Sequence, residues 1–226
     1  MPVIALASSK GGCGKSTTAL ILASAFAADG YRVHIIDADR SGRLAKWAEI
    51  GAKPDGVTAS RADDKTMRAE IESARAAADV VLIDVEGSAN MSVALAIGYA
   101  DAVLVPANPS APDVEDAIAT VALIRDTEGM ARRRIPHGLV WSRVPPAIRS
   151  REMDALAAQV GEGRIPVVGQ VHDRTAYKSL FSFATTLDQL PAGEVPGIAK
   201  AQAEAAQLAE AVIDLIRAAK PQDAAA

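Results

Sequence analysis

A glycine-rich segment near the start of the chain constrains the fold more than any other feature. Residues 10–17 read Lys-Gly-Gly-Cys-Gly-Lys-Ser-Thr, between a short apolar run at 3–7 and a helical pattern at 15–29. A strand, a glycine-rich loop and a helix in this order are typical of a phosphate-binding loop (P-loop), whose backbone N–H groups surround phosphate oxygens at a helix N-terminus. The segment therefore predicts a nucleotide-binding site within an α/β fold.

The remainder of the chain alternates short apolar runs with helical patterns. The apolar runs, rich in β-branched residues, occur at 33–37, 80–84, 102–107, 138–141 and 165–168. Continuous apolar runs are typical of parallel strands buried on both faces. We predict one P-loop NTPase domain over residues 1–220, with a mostly parallel central sheet and helices on both faces. Residues 221–226 are predicted to be a disordered tail.

Composition narrows the cellular setting. The single cysteine, Cys13, cannot form an internal disulfide, which favours a reducing compartment. Neither a signal-peptide pattern nor a run of about 18 apolar residues is present, so we expect a cytoplasmic protein. The net charge is −4, but ten Lys/Arg stand against six Asp/Glu between Arg125 and Lys178. This basic excess is compatible either with nucleic-acid binding or with a solvated face.

The loop residues are expected to contact different parts of a nucleotide. Lys15 is expected to reach the β- and γ-phosphates, Ser16 to bind Mg²⁺, and Thr17 to meet the α-phosphate. The predicted cofactors are therefore ATP and Mg²⁺. The predicted nucleotide contacts are Lys10, Gly11, Gly12, Cys13, Gly14, Lys15, Ser16 and Thr17. The pattern departs from the usual P-loop at Ser9, where a glycine is expected, and in the neighbouring Lys10.

The segment from Lys10 to Thr17 resembles the signature of the ParA/MinD family of deviant-Walker ATPases. In that family ATP lies between two subunits of a homodimer, and the extra lysine of one subunit reaches the nucleotide of the other. The resemblance thus implies catalytic roles for Lys10, in trans, and for Lys15. A cation delivered in this way offsets charge on the γ-phosphate and makes assembly depend on that phosphate.

Two further acidic positions match the family. Asp37, at the end of the second apolar run, is expected by resemblance to orient the attacking water. Asp84 ends the run 80–84 as a Walker B carboxylate does, and it is expected to hold Mg²⁺ together with Ser16. Residues 104–110 with Asp113, and the segments 143–146 and 173–177, also resemble family members.

The sequence departs from the family pattern at two places. A Val85-Glu86-Gly87-Ser88 segment replaces the Thr-Pro-Pro-type turn, and Glu86 near a γ-phosphate would be repulsive unless it faces away or meets a cation. Ser142 stands where the family often has an asparagine that reads the adenine. Residues 37–40, leading to Trp47, also resemble the accessory ATPase of agrobacterial T-DNA transfer, a member of the same family.

The resemblance implies a slow, partner-stimulated ATPase that positions or segregates a plasmid or chromosome. The ATP-bound dimer would bind DNA nonspecifically at the nucleoid, and a small ParB-like protein would stimulate hydrolysis. The candidate DNA contacts are Arg143, Arg149, Arg151, Arg164, Arg174 and Lys178.

Three other functions remain open from the sequence: conjugative DNA transfer, membrane positioning of the MinD kind, and metabolic ligation. The pattern at 198–219 is Ala-rich with nearly balanced charges. It predicts a helix that covers the core, so we expect no membrane partner. An iron–sulfur reductase of this fold is excluded, because one cysteine cannot supply a cluster.

Overall fold

The computed structural model describes residues 1–50, 56–87, 91–145 and 151–219 of the chain. Within these residues the strands are β1 (Val3–Leu6), β2 (Val33–Ala38), β3 (Val57–Arg61), β4 (Val80–Val85), β5 (Ala102–Ala107), β6 (His137–Val144) and β7 (Val167–His172). The helices are α1 (Lys15–Ala28), α2 (Arg43–Ile50), α3 (Met67–Ala77), α4 (Met91–Tyr99), α5 (Ala111–Ala131), α6 (Arg151–Glu162), α7 (Thr175–Ser182) and α8 (Ile198–Ala219).

The strands form one sheet in the order β3-β2-β4-β1-β5-β6-β7, and every described strand pair is parallel. The predicted fold class is therefore confirmed. The first strand lies in the middle of the sheet, with β4 on one side and β5 on the other. Because parallel strands end at the same edge, the segments that follow β1, β2, β4, β5 and β6 meet there. This edge positions the site.

Alternate residues of the central strands face two separate cores. Ile4 and Leu6 of β1 belong to a cluster that includes residues of α1, α2, α7 and α8. Val3 and Ala5 belong to a second cluster with residues of α3, α4, α5 and α6. Both faces of β1 are consequently buried, which is why its sequence is continuously apolar.

The strand β3 was not predicted from the sequence. It lies at the edge of the sheet, and only Val57 of its five residues is buried. Its polar side chains form hydrogen bonds to the neighbouring strand β2. The two ring nitrogens of His34 in β2 lie 2.8 Å from Thr58 Oγ1 and 3.0 Å from Ser60 Oγ in β3. An edge strand with polar residues gives no apolar run for a sequence pattern to detect.

The helix α8 covers the sheet, as its pattern predicted. It packs against α1 and β7, and its buried residues are Ala201, Ala205, Leu208, Ala209, Val212 and Ile216. A Cβ on Gly169 of β7 would lie 2.9 Å from Leu208 Cδ1, so the helix approaches the strand closely at this glycine. Within the described part of the chain, no helix combines the length and apolarity that a bilayer crossing requires.

Leu208→Ala should lower the free energy of unfolding by about 2–4 kcal/mol, because it opens a cavity between α8 and the sheet. The matched change Gln207→Ala, at the adjacent exposed position, should alter it by less than about 0.5 kcal/mol. Urea unfolding followed by circular dichroism measures both. Equal effects of the two changes would contradict this packing of α8.

Candidate nucleotide-binding site

The P-loop connects β1 to α1 and faces an open cavity of about 320 Å³. Gly12 has φ +85° and Gly14 has φ +103°, backbone conformations that favour glycine. A Cβ on Gly11 or Gly12 would meet no atom within 4 Å, so the backbone of the loop is open to a ligand at these two residues. The loop ends where Gly14 forms the N-cap of α1. This geometry suits the binding of phosphate at a helix N-terminus.

The two lysines of the loop lie in different surroundings. Lys15 is only 6% exposed, and its Nζ donates to the backbone oxygen of Lys10 at 3.0 Å. The side chain of Lys10 is 43% exposed, and its Nζ lies 3.4 Å from Asp113 Oδ2 at the start of α5. One ammonium group is thus held within the loop, whereas the other extends away from it towards a neighbouring helix.

The sequence analysis identified Asp113 as part of a segment that resembles family members, but it did not predict that Asp113 contacts Lys10. Its carboxylate also accepts hydrogen bonds from Ser110 Oγ and Asn108 Nδ2. Ser110 is the N-cap of α5, and its hydroxyl accepts a hydrogen bond from the backbone amide of Asp113. The two side chains thus provide hydrogen-bond partners for each other and for the helix start. The pattern Ser-x-x-Asp predicts such a cap, but nothing local indicates the contact with Lys10, 103 residues earlier in the chain.

The predicted metal ligands lie together. Ser16 Oγ donates to Asp84 Oδ2 at 2.6 Å, and Asp84 is 1% exposed. Asp84 Oδ1 is buried with no hydrogen-bond partner among the described residues. Burial, with a smaller contribution from Asp37, raises the pKa of Asp84 from 3.8 to about 7, although the Ser16 hydrogen bond opposes this shift.

These two side chains fit Mg²⁺. The ion prefers oxygen ligands, and it is usually held in nucleotide sites by one or two protein groups together with phosphates and water. No cluster of three or more His, Cys, Asp or Glu in the described ranges could hold a metal by itself. A bound cation would satisfy the unpaired oxygen of Asp84 and offset the cost of burying its charge.

Asp37 is placed beside Asp84 by the strand register, in which the two residues are partners. Its Oδ2 accepts from the amides of Leu44 and Ala45 at 2.8 and 2.9 Å, and its Oδ1 accepts from the amide of Asp39 at 3.1 Å. In this conformation the carboxylate, 1% exposed, holds the first turn of α2. No local pattern in the sequence indicates this second role of Asp37.

Glu86 meets a cation. Its Oε2 lies 3.2 Å from Nε of Arg40, in the segment that follows β2, so a carboxylate that would repel a γ-phosphate is paired in this structure. The next residue, Gly87, packs on the P-loop, because a Cβ there would lie 2.3 Å from the carbonyl carbon of Lys10. A larger residue at 87 would displace the loop. Ser88, the last residue of this departure, lies outside the described residues.

The described candidate DNA contacts do not all line one cavity. Arg143, Arg174 and Lys178 line a cavity of about 420 Å³ beside the P-loop. Arg151 and Arg164 are exposed at the beginning of α6 and just after its end, and neither lines that cavity. The sixth candidate, Arg149, lies outside the described residues.

Two of these candidates already have carboxylate partners. Lys178 Nζ lies 2.7 Å from Asp173, and Arg174 Nη2 lies 2.9 Å from Glu204 on α8. Glu204 also accepts from the hydroxyl of Tyr177 and from the backbone amide of His172, both at 2.9 Å. The guanidinium of Arg174, 24% exposed, therefore belongs to a network that joins β7, α7 and α8. The sequence did not predict this network, because its members are about 30 residues apart.

A strand, a P-loop and a helix at the centre of a parallel sheet, with a buried aspartate facing the loop serine, define a P-loop nucleotide-binding protein. Comparison with known proteins specifies the class. Residues 4–187 match the CobQ/CobB/MinD/ParA nucleotide binding domain. The chain belongs to this ParA/MinD family of ATPases, and its predicted resemblance is confirmed.

Relatives and solved structures agree with this assignment. The chain is 37% identical over 192 residues to the protein ParA of Rhizobium radiobacter, covering 84% of this chain and 86% of that protein. It is 25% identical over 187 residues to the protein virC1 of Rhizobium rhizogenes, covering 80% of each. The structure of apo McdA from Cyanothece is similar in fold, with a TM-score of 0.76 at 19% identity, covering 94% of this chain and 99% of that one.

Asp84→Asn should stabilise the nucleotide-free protein at pH 8 by about 1–3 kcal/mol and have little effect at pH 4. A carboxyl whose pKa is raised above its unfolded value contributes its full stability below about pH 4 and loses it as pH rises through about 7. The asparagine has no charge to bury at either pH. Urea unfolding at both pH values measures the difference.

The same variant should lose the Mg²⁺ dependence of nucleotide binding, measured by equilibrium dialysis with and without the ion. Unchanged Mg²⁺ dependence, together with equal stability of the two proteins at pH 8, would show that Asp84 is not the metal ligand.

Proposed function

We propose that this chain is a ParA-type partition ATPase. Its ATP-bound form is a homodimer that binds DNA without sequence preference at the nucleoid and positions or segregates a plasmid or chromosome. A small ParB-like protein stimulates its slow hydrolysis and so releases it. The observation that carries the proposal is the P-loop with one internal and one outward lysine, in a chain 37% identical to a ParA over 84% of its length.

The geometry of Lys10 supports a role across a subunit interface. Lys15 already supplies a cation within the chain's own loop, whereas the backbone oxygen of Lys10, rather than its ammonium, faces Lys15 Nζ. The ammonium of Lys10 lies 3.4 Å from the buried Asp113, and the Lys10 side chain as a whole is 43% exposed. A second subunit that faces this edge about a two-fold axis would bring its phosphates to that ammonium, and each subunit would complete the site of the other.

Hydrolysis would then use a small set of side chains. Ser16 and Asp84 would hold Mg²⁺ against the phosphates, and Lys15 would offset charge on the β- and γ-phosphates. Mg²⁺ supplies Lewis-acid stabilisation of that charge when it is bound. We propose that Asp37 orients the attacking water. Three backbone amides donate to this carboxylate, which leaves about one acceptor site for a water, but the side chain is only 1% exposed.

The proposed DNA contacts rest mainly on Arg151 and Arg164. Both are exposed, and no carboxylate among the described residues forms an ion pair with either. Arg174 and Lys178 are paired with Glu204 and Asp173, and an engaged cation contributes less to phosphate binding. Charge reversal at Arg174 would break an internal network as well as remove a positive charge.

Conjugative DNA transfer is the second candidate function. It is favoured by residues 37–40, leading to Trp47, which resemble the accessory ATPase of agrobacterial T-DNA transfer. The structure argues less well for a membrane-positioning ATPase of the MinD kind, because the apolar residues of α8 pack on β7 and α1. A metabolic ligase would have no role for a Lys10 whose ammonium points away from the chain's own nucleotide.

Lys10→Ala should leave ATP binding by the monomer within about threefold of the parent, while ATP-dependent dimerisation and hydrolysis are lost together. The reason is that Lys15 alone serves the chain's own nucleotide, and Lys10 serves that of its partner. Sedimentation with a non-hydrolysable ATP analogue measures assembly, and phosphate release measures turnover.

The matched control is Lys200→Ala, an exposed lysine on α8 that lines neither cavity at the P-loop, which should behave as the parent does in both assays. A Lys10→Ala protein that dimerises and hydrolyses ATP normally would remove the sandwich mechanism. A monomer that has lost ATP binding would place Lys10 in its own site instead.

DNA binding should require ATP, show no sequence preference and weaken about tenfold or more between about 50 and 200 mM salt, because phosphate contacts release counterions. The double variant Arg151→Glu with Arg164→Glu should weaken it further, whereas Arg68→Glu on α3 should not. Filter binding with unrelated duplexes measures all three. Binding that ignores salt, or that needs one sequence, would contradict the proposed DNA interface.

A further inference from the structure

The ion pair between Arg40 and Glu86 joins two segments that lie beside the P-loop. Arg40 follows β2, and Glu86 directly follows β4. Arg40 Nε lies 3.2 Å from Glu86 Oε2, and the two side chains are 86% and 30% exposed. An exposed pair of this kind adds little to folding stability, which leaves the charge that it cancels as its main effect.

The cavities around the P-loop give the direction of a bound nucleotide. The phosphate cavity of about 320 Å³ shares Gly14 and Thr17 with the cavity of about 420 Å³. It shares Asp39 with a third cavity, of about 350 Å³, which Arg40 and Glu86 line. Because Thr17 is expected to meet the α-phosphate, the base and ribose extend into the 420 Å³ cavity. The γ-phosphate then lies towards the beginning of the loop.

Glu86 lies at this γ-phosphate end. A Cβ on the next residue, Gly87, would overlap the carbonyl carbon of Lys10 and the amide nitrogen of Gly11. Lys10 and Gly11 begin the loop, whereas Thr17 follows it in the first turn of α1. The backbone beside Glu86 therefore contacts the part of the loop farthest from the α-phosphate, and Glu86 is nearer to a γ-phosphate than to the base or ribose.

The 350 Å³ cavity is lined by more carboxylates than cations. Its charged residues are Asp39, Asp63, Asp64 and Glu86, together with Arg40 and Arg61. Arg61 holds the segment that carries Arg40, because its Nη2 donates to the backbone oxygen of Arg40 at 3.1 Å. Without the charge of Arg40, the end of the site that receives the γ-phosphate would be more negative and would repel a phosphate.

ATP and ADP differ at this end of the site. Both place phosphates on the P-loop, but only ATP adds a γ-phosphate, which brings one more negative charge. A carboxylate beside that position therefore opposes the binding of ATP more than that of ADP. Two unit charges about 10 Å apart near a protein surface change an affinity by about threefold to twentyfold. A cation paired with the carboxylate removes most of that difference.

We propose, resting on the nucleotide binding proposed above, that the Arg40–Glu86 pair determines how well this site accepts ATP relative to ADP. Arg40 cancels the charge of Glu86 beside the γ-phosphate, so that ATP binds without that repulsion. Since Arg40 acts through Glu86 and not on the reacting atoms, it is a specificity-determining residue rather than a catalytic one.

Isothermal titration calorimetry of the full chain with Mg²⁺ and either ADP or a non-hydrolysable ATP analogue tests the pair. The titrations are made in about 50 mM salt, at a protein concentration at which sedimentation shows a monomer. Arg40→Gln should weaken binding of the ATP analogue by about threefold to twentyfold and that of ADP by less than about twofold. Arg40→Lys, which keeps the charge, should stay within about twofold of the parent for both nucleotides. About 500 mM salt should remove most of the loss in Arg40→Gln.

Glu86→Gln separates the contributions of the two partners. It should bind the ATP analogue at least as tightly as the parent does. The double variant Arg40→Gln with Glu86→Gln should recover the parent ratio of ATP to ADP affinity within about twofold. The matched control is Arg32→Gln, which breaks an exposed pair with Asp79 just before β2, at the opposite edge of the sheet. It should leave the ratio unchanged.

Circular dichroism melting establishes that each variant is folded. If Arg40→Gln weakens both nucleotides equally, or neither, the proposed role of the pair is overturned and the nucleotide function stands. A double variant that does not recover the ratio shows that Arg40 does not act through Glu86, and a loss of ATP affinity in Glu86→Gln alone contradicts the proposal independently. Absence of binding by both nucleotides in the parent overturns the proposed nucleotide function itself.

Discussion

The hydrogen bond between Ser16 and Asp84 is the interaction on which the site depends. It joins the first turn of α1 to the end of β4, and it lies where burial is nearly complete. Burying a carboxylate costs free energy, and Asp84 Oδ1 has no hydrogen-bond partner in the part of the chain that the structure describes. The hydrogen bond from Ser16 and the charge of Lys15 lower that cost, but burial still raises the pKa of Asp84 to about 7. Ser16 and Asp84 thus form an oxygen-rich site beside the phosphate loop that suits a cation.

The two lysines of the loop have different surroundings and point in different directions. They are five residues apart, yet one is nearly enclosed and the other is nearly half exposed. Enclosure fixes Lys15 relative to its own backbone, and the contact with Asp113 fixes the direction of Lys10. The carboxylate that directs Lys10 is itself held by the N-cap of α5, so the outward lysine depends on a helix that starts about 100 residues later.

Much of the fold and the core of the candidate site could be predicted from the sequence, because their signals are local. The run 80–84 ends in a carboxylate, and parallel pairing then places Asp84 beside Asp37. The edge strand β3 was missed, because its polar residues break the apolar run. The partners of Lys10, Glu86 and Arg174 could not be predicted, because each pairs with a residue that only the completed sheet and its covering helices bring near.

The helix α2 packs on β2 and β3 through buried side chains, and hydrogen bonds hold it at two further points. Asp37 accepts hydrogen bonds from the amides of Leu44 and Ala45 in the first turn of α2. Trp47 Nε1, further along α2, donates to the backbone oxygen of Leu180 in α7 at 2.8 Å. The two fastenings lie less than one helical turn apart, about 3–5 Å along the axis. If Asp37 released these amides, the hydrogen bond of Trp47 and the buried side chains of α2 would still hold the helix. The loss of contacts would be confined to the first turn, which carries Arg43 beside the P-loop cavity.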